Sequence, residues 1–296
     1  LGEKLWQINW TMVFLISAVA VIGFGMLYSA AKGSFDPWAN RQMTRFALGA
    51  LMMFVIALTD IRIWMRYAYL IYAIGISLLG AVEIAGVVGM GAQRWLDFGF
   101  VRIQPSEFMK IALILALARH FHAMSMEEIG RPLYLLIPTI LVVAPVALVI
   151  RQPDLGTAVM LVLGAGAMFF IAGVRIWKFI VVLVVGLASI PITWNFLHAY
   201  QRKRILTFLN PESDPLGAGY HILQSKIALG SGSLFGKGFL NGSQSHLEFL
   251  PERHTDFVFT MLAEEFGLIG GVLVIILYAL LLIYGLAIAL RSRNHF

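Results

Sequence analysis

Apolar runs of roughly 17 to 25 residues recur along this chain, and a soluble core has no room to bury so many of them. Eight such runs centre on Ala20, Met53, Ile76, Leu113, Val142, Leu163, Val185 and Ile275. Each can cross about 30 Å of hydrocarbon at about 1.5 Å per residue. In a bilayer every backbone polar group must be satisfied within the segment, which leaves helices as the economical choice for such runs. The expected fold is therefore all-α, a polytopic membrane helix bundle of about eight transmembrane spans forming a single integral membrane domain over 1–296. The first run, Ile8 to Ala30, is longer than a signal-peptide core and lacks a small-residue cleavage pattern, so it reads as a retained span.

The long polar interval 198–255 before the last run is rich in Gly, Ser and charged residues and is expected as an extramembrane loop. Within it Ile222, Leu223, Ile227, Ala228 and Leu229 have the spacing of one apolar helical stripe, as in a helix lying on a membrane surface. No internal repeat is evident.

A formal charge of +6 would suggest nucleic acid for a soluble protein. Here the basic residues fall between apolar runs, where they orient helices and meet anionic lipid. Arg62 and Arg66, Arg119 and Arg131, Arg175 and Lys178, and Arg291 and Arg293 mark alternate connections, which are expected to be cytoplasmic. The long loop is then extracytoplasmic. The absence of cysteine from the sequence excludes disulfides, thiolate metal sites and cysteine nucleophiles.

With that topology the fourth, sixth and eighth spans begin at one end of the bundle, each with a carboxylate: Glu107, Asp154 and Asp256. Gln104-Pro105-Ser106-Glu107 and Gln152-Pro153-Asp154 share wording, with proline expected in the first turn, where its missing N–H costs nothing. Such acids can simply satisfy helix N-termini, stabilising each by about 0.3 to 1 kcal/mol, and for Asp154 alone that reading is preferred. The same end also gathers Arg94, Lys110, Arg151 and the run Arg202-Lys203-Arg204, and a polar cluster at the mouth of a bundle more often has a function.

Glu83 and the pair Glu264-Glu265 lie in apolar surroundings and call for a partner or a cavity. His221, His246 and His254 lack the spacing of a helical zinc site. Trp95 reads either as an interfacial anchor or as a platform for a sugar ring. Gly230-Ser231-Gly232 and Gly236-Lys237-Gly238 lack phosphate-loop spacing and read as flexible turns.

Four segments carry a resemblance: Gly91-Ala92-Gln93-Arg94-Trp95, Gln104-Pro105-Ser106-Glu107, Gln152-Pro153-Asp154-Leu155-Gly156-Thr157, and Leu250-Pro251-Glu252-Arg253-His254-Thr255-Asp256-Phe257. In that order they resemble the SEDS family (shape, elongation, division, sporulation). Asp214-Pro215-Leu216-Gly217-Ala218-Gly219-Tyr220-His221, followed by Gln224-Ser225-Lys226, is similar to the RodA branch. The family normally has ten spans, two more than are read here, and the chain begins at Leu1 without methionine, so a partial sequence is expected.

The resemblance implies a peptidoglycan glycosyltransferase of the bacterial cytoplasmic (inner) membrane. It would polymerise lipid II into glycan strands during cell elongation, on the extracytoplasmic face, with a class B penicillin-binding protein as partner. Asp256 matches the family's catalytic position. A lipid diphosphate is already a good leaving group, so one base for the acceptor hydroxyl and cations for the diphosphate suffice, with inversion at the anomeric carbon. Glu107, Lys110 and Asp154 are expected to line the site, and Glu107 and Lys110, at i and i+3, can pair with each other. Arg94, Arg204 and Lys226 are expected phosphate contacts, and Trp95, Glu252 and Arg253 further substrate-binding residues. A magnesium or manganese ion bridging carboxylate and diphosphate is reasonable, although no ligand set demands one. The rival readings are a flippase or transporter of the lipid-linked precursor, which would place its site near the midplane, and a non-catalytic scaffold, which would tolerate neutralisation of Asp256.

Overall fold

The computed structural model describes residues 6, 8–89, 92–99, 102–197, 199–213, 217–246 and 254–292. All eight expected centres fall in helices: α1 (Trp10–Ala30), α2 (Trp38–Leu58), α3 (Ile61–Ala85), α4 (Pro105–His122), α6 (Leu136–Arg151), α7 (Leu155–Ile171), α8 (Ile176–Phe196) and α12 (Val258–Arg291), with the short α5 (Met126–Gly130) between α4 and α6. Among the described residues, six helical stretches are long and apolar enough to cross a membrane, one of them running from Pro132 into α6. The other two helices depart for different reasons. The 18 residues of α4 include Glu107, Lys110 and Arg119, and the 17 residues of α7 span only about 25 Å. The protein is a multi-pass membrane protein. On α8, Val182, Leu183, Val184 and Val185 are all more than half exposed, an arrangement that water would penalise and lipid does not.

The chain divides into two compact units, one of residues 1–58 and 190–292, the other built from residues 59–189. The second unit is centred on α3, α4, α6 and α7. Leu79, Met109, Leu113, Leu117, Val149 and Leu161 are almost fully enclosed in its core. The Tyr72 hydroxyl donates to the Leu141 carbonyl at 2.9 Å, tying α3 to α6. At the C-terminal end of α3 the chain forms a small antiparallel sheet that the all-α expectation omitted: β1 (Val87–Gly89), β2 (Ala92–Asp97) and β3 (Arg102–Ile103), in the order β1-β2-β3. Val87 pairs with Trp95 and Leu96 with Ile103. Strands of three and two residues are too short to display an alternating pattern, so the sequence carried no signal for them. The Asp97 carboxylate closes the β2–β3 turn by accepting from the Gly99 amide and the Arg102 guanidinium, both at 2.8 Å. These contacts hold its pKa below the ordinary carboxylate value, the Gly99 hydrogen bond being the larger cause.

In the first unit α1 packs against α12, with Met26, Ala30, Met261 and Leu262 buried. The loop 198–255 is largely helical where described: α9 (Ala199–Leu209), α10 (Ala218–Ser231) and the single turn α11 (Ser243–His246). The stripe around Ile227 does form a helix. It packs on α12 with Ala228 buried, while Ile227 and Leu229 stay exposed.

The 34 residues of α12 are interrupted at Gly267, where φ 66° and ψ −163° break the spiral. The hydrogen bonds lost there are replaced by the segment after α10. Lys237 and Gly238 amides donate to the Glu264 and Glu265 carbonyls at 3.0 Å, and the Leu268 and Ile269 amides donate to Ser233 and Leu234 carbonyls at 2.9 and 3.3 Å. The approach is so close that a Cβ on Gly236 would lie 2.1 Å from the Glu265 carbonyl oxygen. The expected flexible turns are thus a docked plug at Gly236-Lys237-Gly238, whereas Gly230 and Ser231 belong to α10. Glycine is needed here for contact as well as for φ.

Candidate functional site

In the second unit the C-terminal ends of α3 and α6, the sheet, and the starts of α4 and α7 carry the polar residues. The Gln152 side chain, at the end of α6, donates to the Leu79 carbonyl at 3.0 Å. Gln93 donates to the Val82 and Gly86 carbonyls at 2.9 Å, capping the end of α3 and pinning β2 to it. From β2, Arg94 reaches the Pro153 carbonyl at 2.8 Å and stands 3.7 Å from the Asp154 carboxylate. Two expected site residues are therefore engaged with each other.

Asp154 is buried and also acts as the N-cap of α7, accepting from the Thr157 amide at 3.3 Å and its hydroxyl at 2.8 Å. The structural reading of this residue is realised, with the arginine added. Because Asp154 is the cap, Pro153 precedes it and lies outside the first turn, unlike Pro105, which opens α4 as expected.

Glu107 lies in the first turn of α4, exposed, and its carboxylate meets the half-buried Lys110 ammonium at 2.9 Å. Beside Lys110, between α4 and α7, lies a cavity of about 220 Å³ lined by Leu113, Ile114, Met160, Leu161 and Gly164. A cation thus stands at one side of an apolar space, a pairing suited to a lipid that carries an anion. Glu83 finds its cation in Arg151 at 4.0 Å. Trp95 is 37% exposed on β2, accessible both to a sugar face and to the interface.

In the first unit, Asp256 stands exposed in the turn that leads into α12. Two residues earlier, the His254 ring stacks on Trp38 at 4.5 Å and 8°. Lys226 is exposed on α10, and Arg204 lies within α9. Glu252 and Arg253 lie outside the described residues. Of the intramembrane acids, Glu264 is fully buried and accepts from the Lys237 ammonium at 2.8 Å, the Gln244 amide at 2.9 Å and the Ser243 hydroxyl at 3.3 Å. Glu265, equally enclosed, accepts from the Ser29 hydroxyl of α1 at 2.5 Å. The cost of burying these acids called for partners, but 27 residues separate Lys237 from Glu264, so Lys237 could not be singled out from spacing. Among the described residues no group of three or more His, Cys, Asp or Glu is placed to hold a metal ion.

The profile of FTSW_RODA_SPOVE, described as cell cycle protein, matches residues 4–296. The chain is 46% identical over 292 residues to the peptidoglycan glycosyltransferase MrdB of Escherichia coli K12, covering 97% of this chain and 77% of that protein. It is 38% identical over 293 residues to the stage V sporulation protein E of Bacillus subtilis 168, covering 96% and 79%. Among solved structures, a chain from work on structural coordination of polymerization and crosslinking by a peptidoglycan synthase complex matches with a TM-score of 0.79. The two are 33% identical over 97% of this chain and 80% of that one. The rod shape determining protein RodA of Thermus thermophilus matches with a TM-score of 0.68 at 29% identity, over 97% and 76%.

Proposed function

The chain belongs to the FtsW/RodA/SpoVE family of cell cycle proteins, and from that premise we propose that it is a peptidoglycan glycosyltransferase that extends glycan strands from lipid II, with Asp256 as its general base. The observation that carries the assignment of the base is a contrast in commitments. Glu107 is paired with Lys110, Asp154 caps α7 beside Arg94, and Glu264 and Glu265 are enclosed with their donors. Among these described carboxylates, Asp256 is the one that combines exposure with having neither an ion pair nor a helix-cap role. A base must reach its proton and be free to take it.

Asp256 takes the proton of the acceptor sugar's 4-hydroxyl as that oxygen attacks the anomeric carbon of the donor. The bond to the lipid diphosphate breaks, and the configuration inverts. Lys226, on α10 of the same unit as Asp256, is assigned to the negative charge of the diphosphate, where a preorganised cation lowers the barrier most. Any magnesium or manganese ion would come with the substrate's phosphates, a common way for magnesium to be held with only one or two protein carboxylates. The chemistry is assigned to the extracytoplasmic face, and a class B penicillin-binding protein to the role of partner.

The test is glycan-strand synthesis from purified lipid II by the full-length protein with such a partner, comparing wild type with Asp256→Asn. Polymer from wild type alone is expected. Equal polymer from both would remove Asp256 as the base. Polymer from neither, with lipid II crossing vesicles, would turn the assignment to a flippase.

A further inference from the structure

The first nine residues of α12, Val258–Phe266, lead directly from Asp256, yet at Gly267 they are severed from the rest of the helix. A continuous helix would be held in place by its full length. Besides its packing on α1 and the Ser29–Glu265 hydrogen bond, this segment is held by the plug Ser233–Gly238, which supplies the backbone hydrogen bonds across the break, and by one further side chain. Glu264 collects Lys237, Ser243 and Gln244 on a single buried carboxylate oxygen. Enclosing that charge is costly, and the cost is offset by a cation and two further donors. All three donors come from residues 237–244, and Glu264 lies about two helical turns after Asp256.

We propose that Lys237 and Glu264 are positioning residues for Asp256: their buried ion pair fastens the severed segment to the plug and so fixes where the base stands. The inference rests on Asp256 being the base. Displacing a base by about 1 Å can cost about a hundredfold in rate while leaving substrate binding nearly unchanged. The pair should therefore show itself in kcat rather than in KM.

The experiment measures kcat and KM for lipid II polymerisation by the full-length protein with its penicillin-binding partner, and the thermal midpoint of each variant. The variants are Asp256→Asn, Lys237→Met, Lys237→Arg, Glu264→Gln and the combined Lys237→Met/Glu264→Gln. Lys237→Met and Glu264→Gln are each expected to lower kcat by about tenfold or more with KM changed less than about threefold. Lys237→Arg should recover activity to within about twofold of wild type, because it retains a charge that can reach the carboxylate. The combined variant should be no slower than the worse single one, since both break the same contact. It leaves no unpaired buried charge, so it carries the test should a single exchange fail to fold.

Wild-type kcat in the combined variant, with Asp256→Asn inactive, would overturn the positioning role and leave the base in place. A fall in kcat that merely follows the thermal midpoint, with no recovery by Lys237→Arg, would overturn it as well. Full activity of Asp256→Asn would instead remove the base assignment, and the positioning role with it.

Discussion

The two units handle charge in opposite ways. In residues 59–189 the ions sit at helix ends: Glu107 with Lys110, Arg94 with Asp154, and Glu83 with Arg151 at 4.0 Å. Water or headgroups can share in solvating Glu107 and Glu83, so each manages with one cation, whereas the buried Asp154 adds the Thr157 amide and hydroxyl to its arginine. In the other unit Glu264 and Glu265 lie wholly inside, and Glu264 takes three donors on one oxygen. The contrast teaches that the fully enclosed Glu264 needs more donors than the solvent-facing Glu107 or Glu83, and that the role of a carboxylate follows from what its contacts tie together. Of the end-of-helix acids, Glu107 and Glu83 stay in contact with solvent. The enclosed ones are committed to the fold.

The largest expected difference lies at the plug. Gly236→Ala would press a Cβ to 2.1 Å from the Glu265 carbonyl oxygen at a residue with φ +80°, and it should cost about 3 kcal/mol or more. This is read as a drop in the thermal midpoint of the purified protein. A midpoint equal to wild type would mean that the break at Gly267 does not depend on close docking, and the contrast between the units would collapse. Asp154→Ala should cost about 1 kcal/mol through loss of the α7 cap, and Asp154→Asn distinctly less, because asparagine caps as well as aspartate does. If the two cost the same, the arginine pair and not the cap carries the effect. Arg151→Ala should change stability by less than about 0.5 kcal/mol, the usual worth of an exposed pair; its side chain is 75% exposed at 4.0 Å from Glu83. A larger loss would mean that this end of the unit is less open to solvent than its accessibility indicates.

The helices were legible because length and apolarity in a membrane leave little choice, and all eight centres lie where the runs put them. Local polar chemistry was legible for a similar reason: Glu107 and Lys110 pair because they are one turn apart. What could not be read was contact between distant parts of the chain. Arg94 meets Asp154 across 60 residues, and Ser29 meets Glu265 across 236. The sheet was missed because two of its three strands are too short for periodicity. The plug was mistaken for loose turns because glycine marks mobility and close contact with the same letter. The buried acids gave half of their own answer, a demand for partners, without naming them.

The break at Gly267 also changes what a solvent-exchange measurement on α12 would report. In an uninterrupted helix the amides of Leu268 and Ile269 would be guarded by carbonyls four residues earlier in the same helix. Here their acceptors are Ser233 and Leu234, so their deuterium uptake is set by how often the preceding loop lifts away. Two amides inside one helix thus serve as a built-in clock for the motion of a different segment, readable without any chemical tag on the protein.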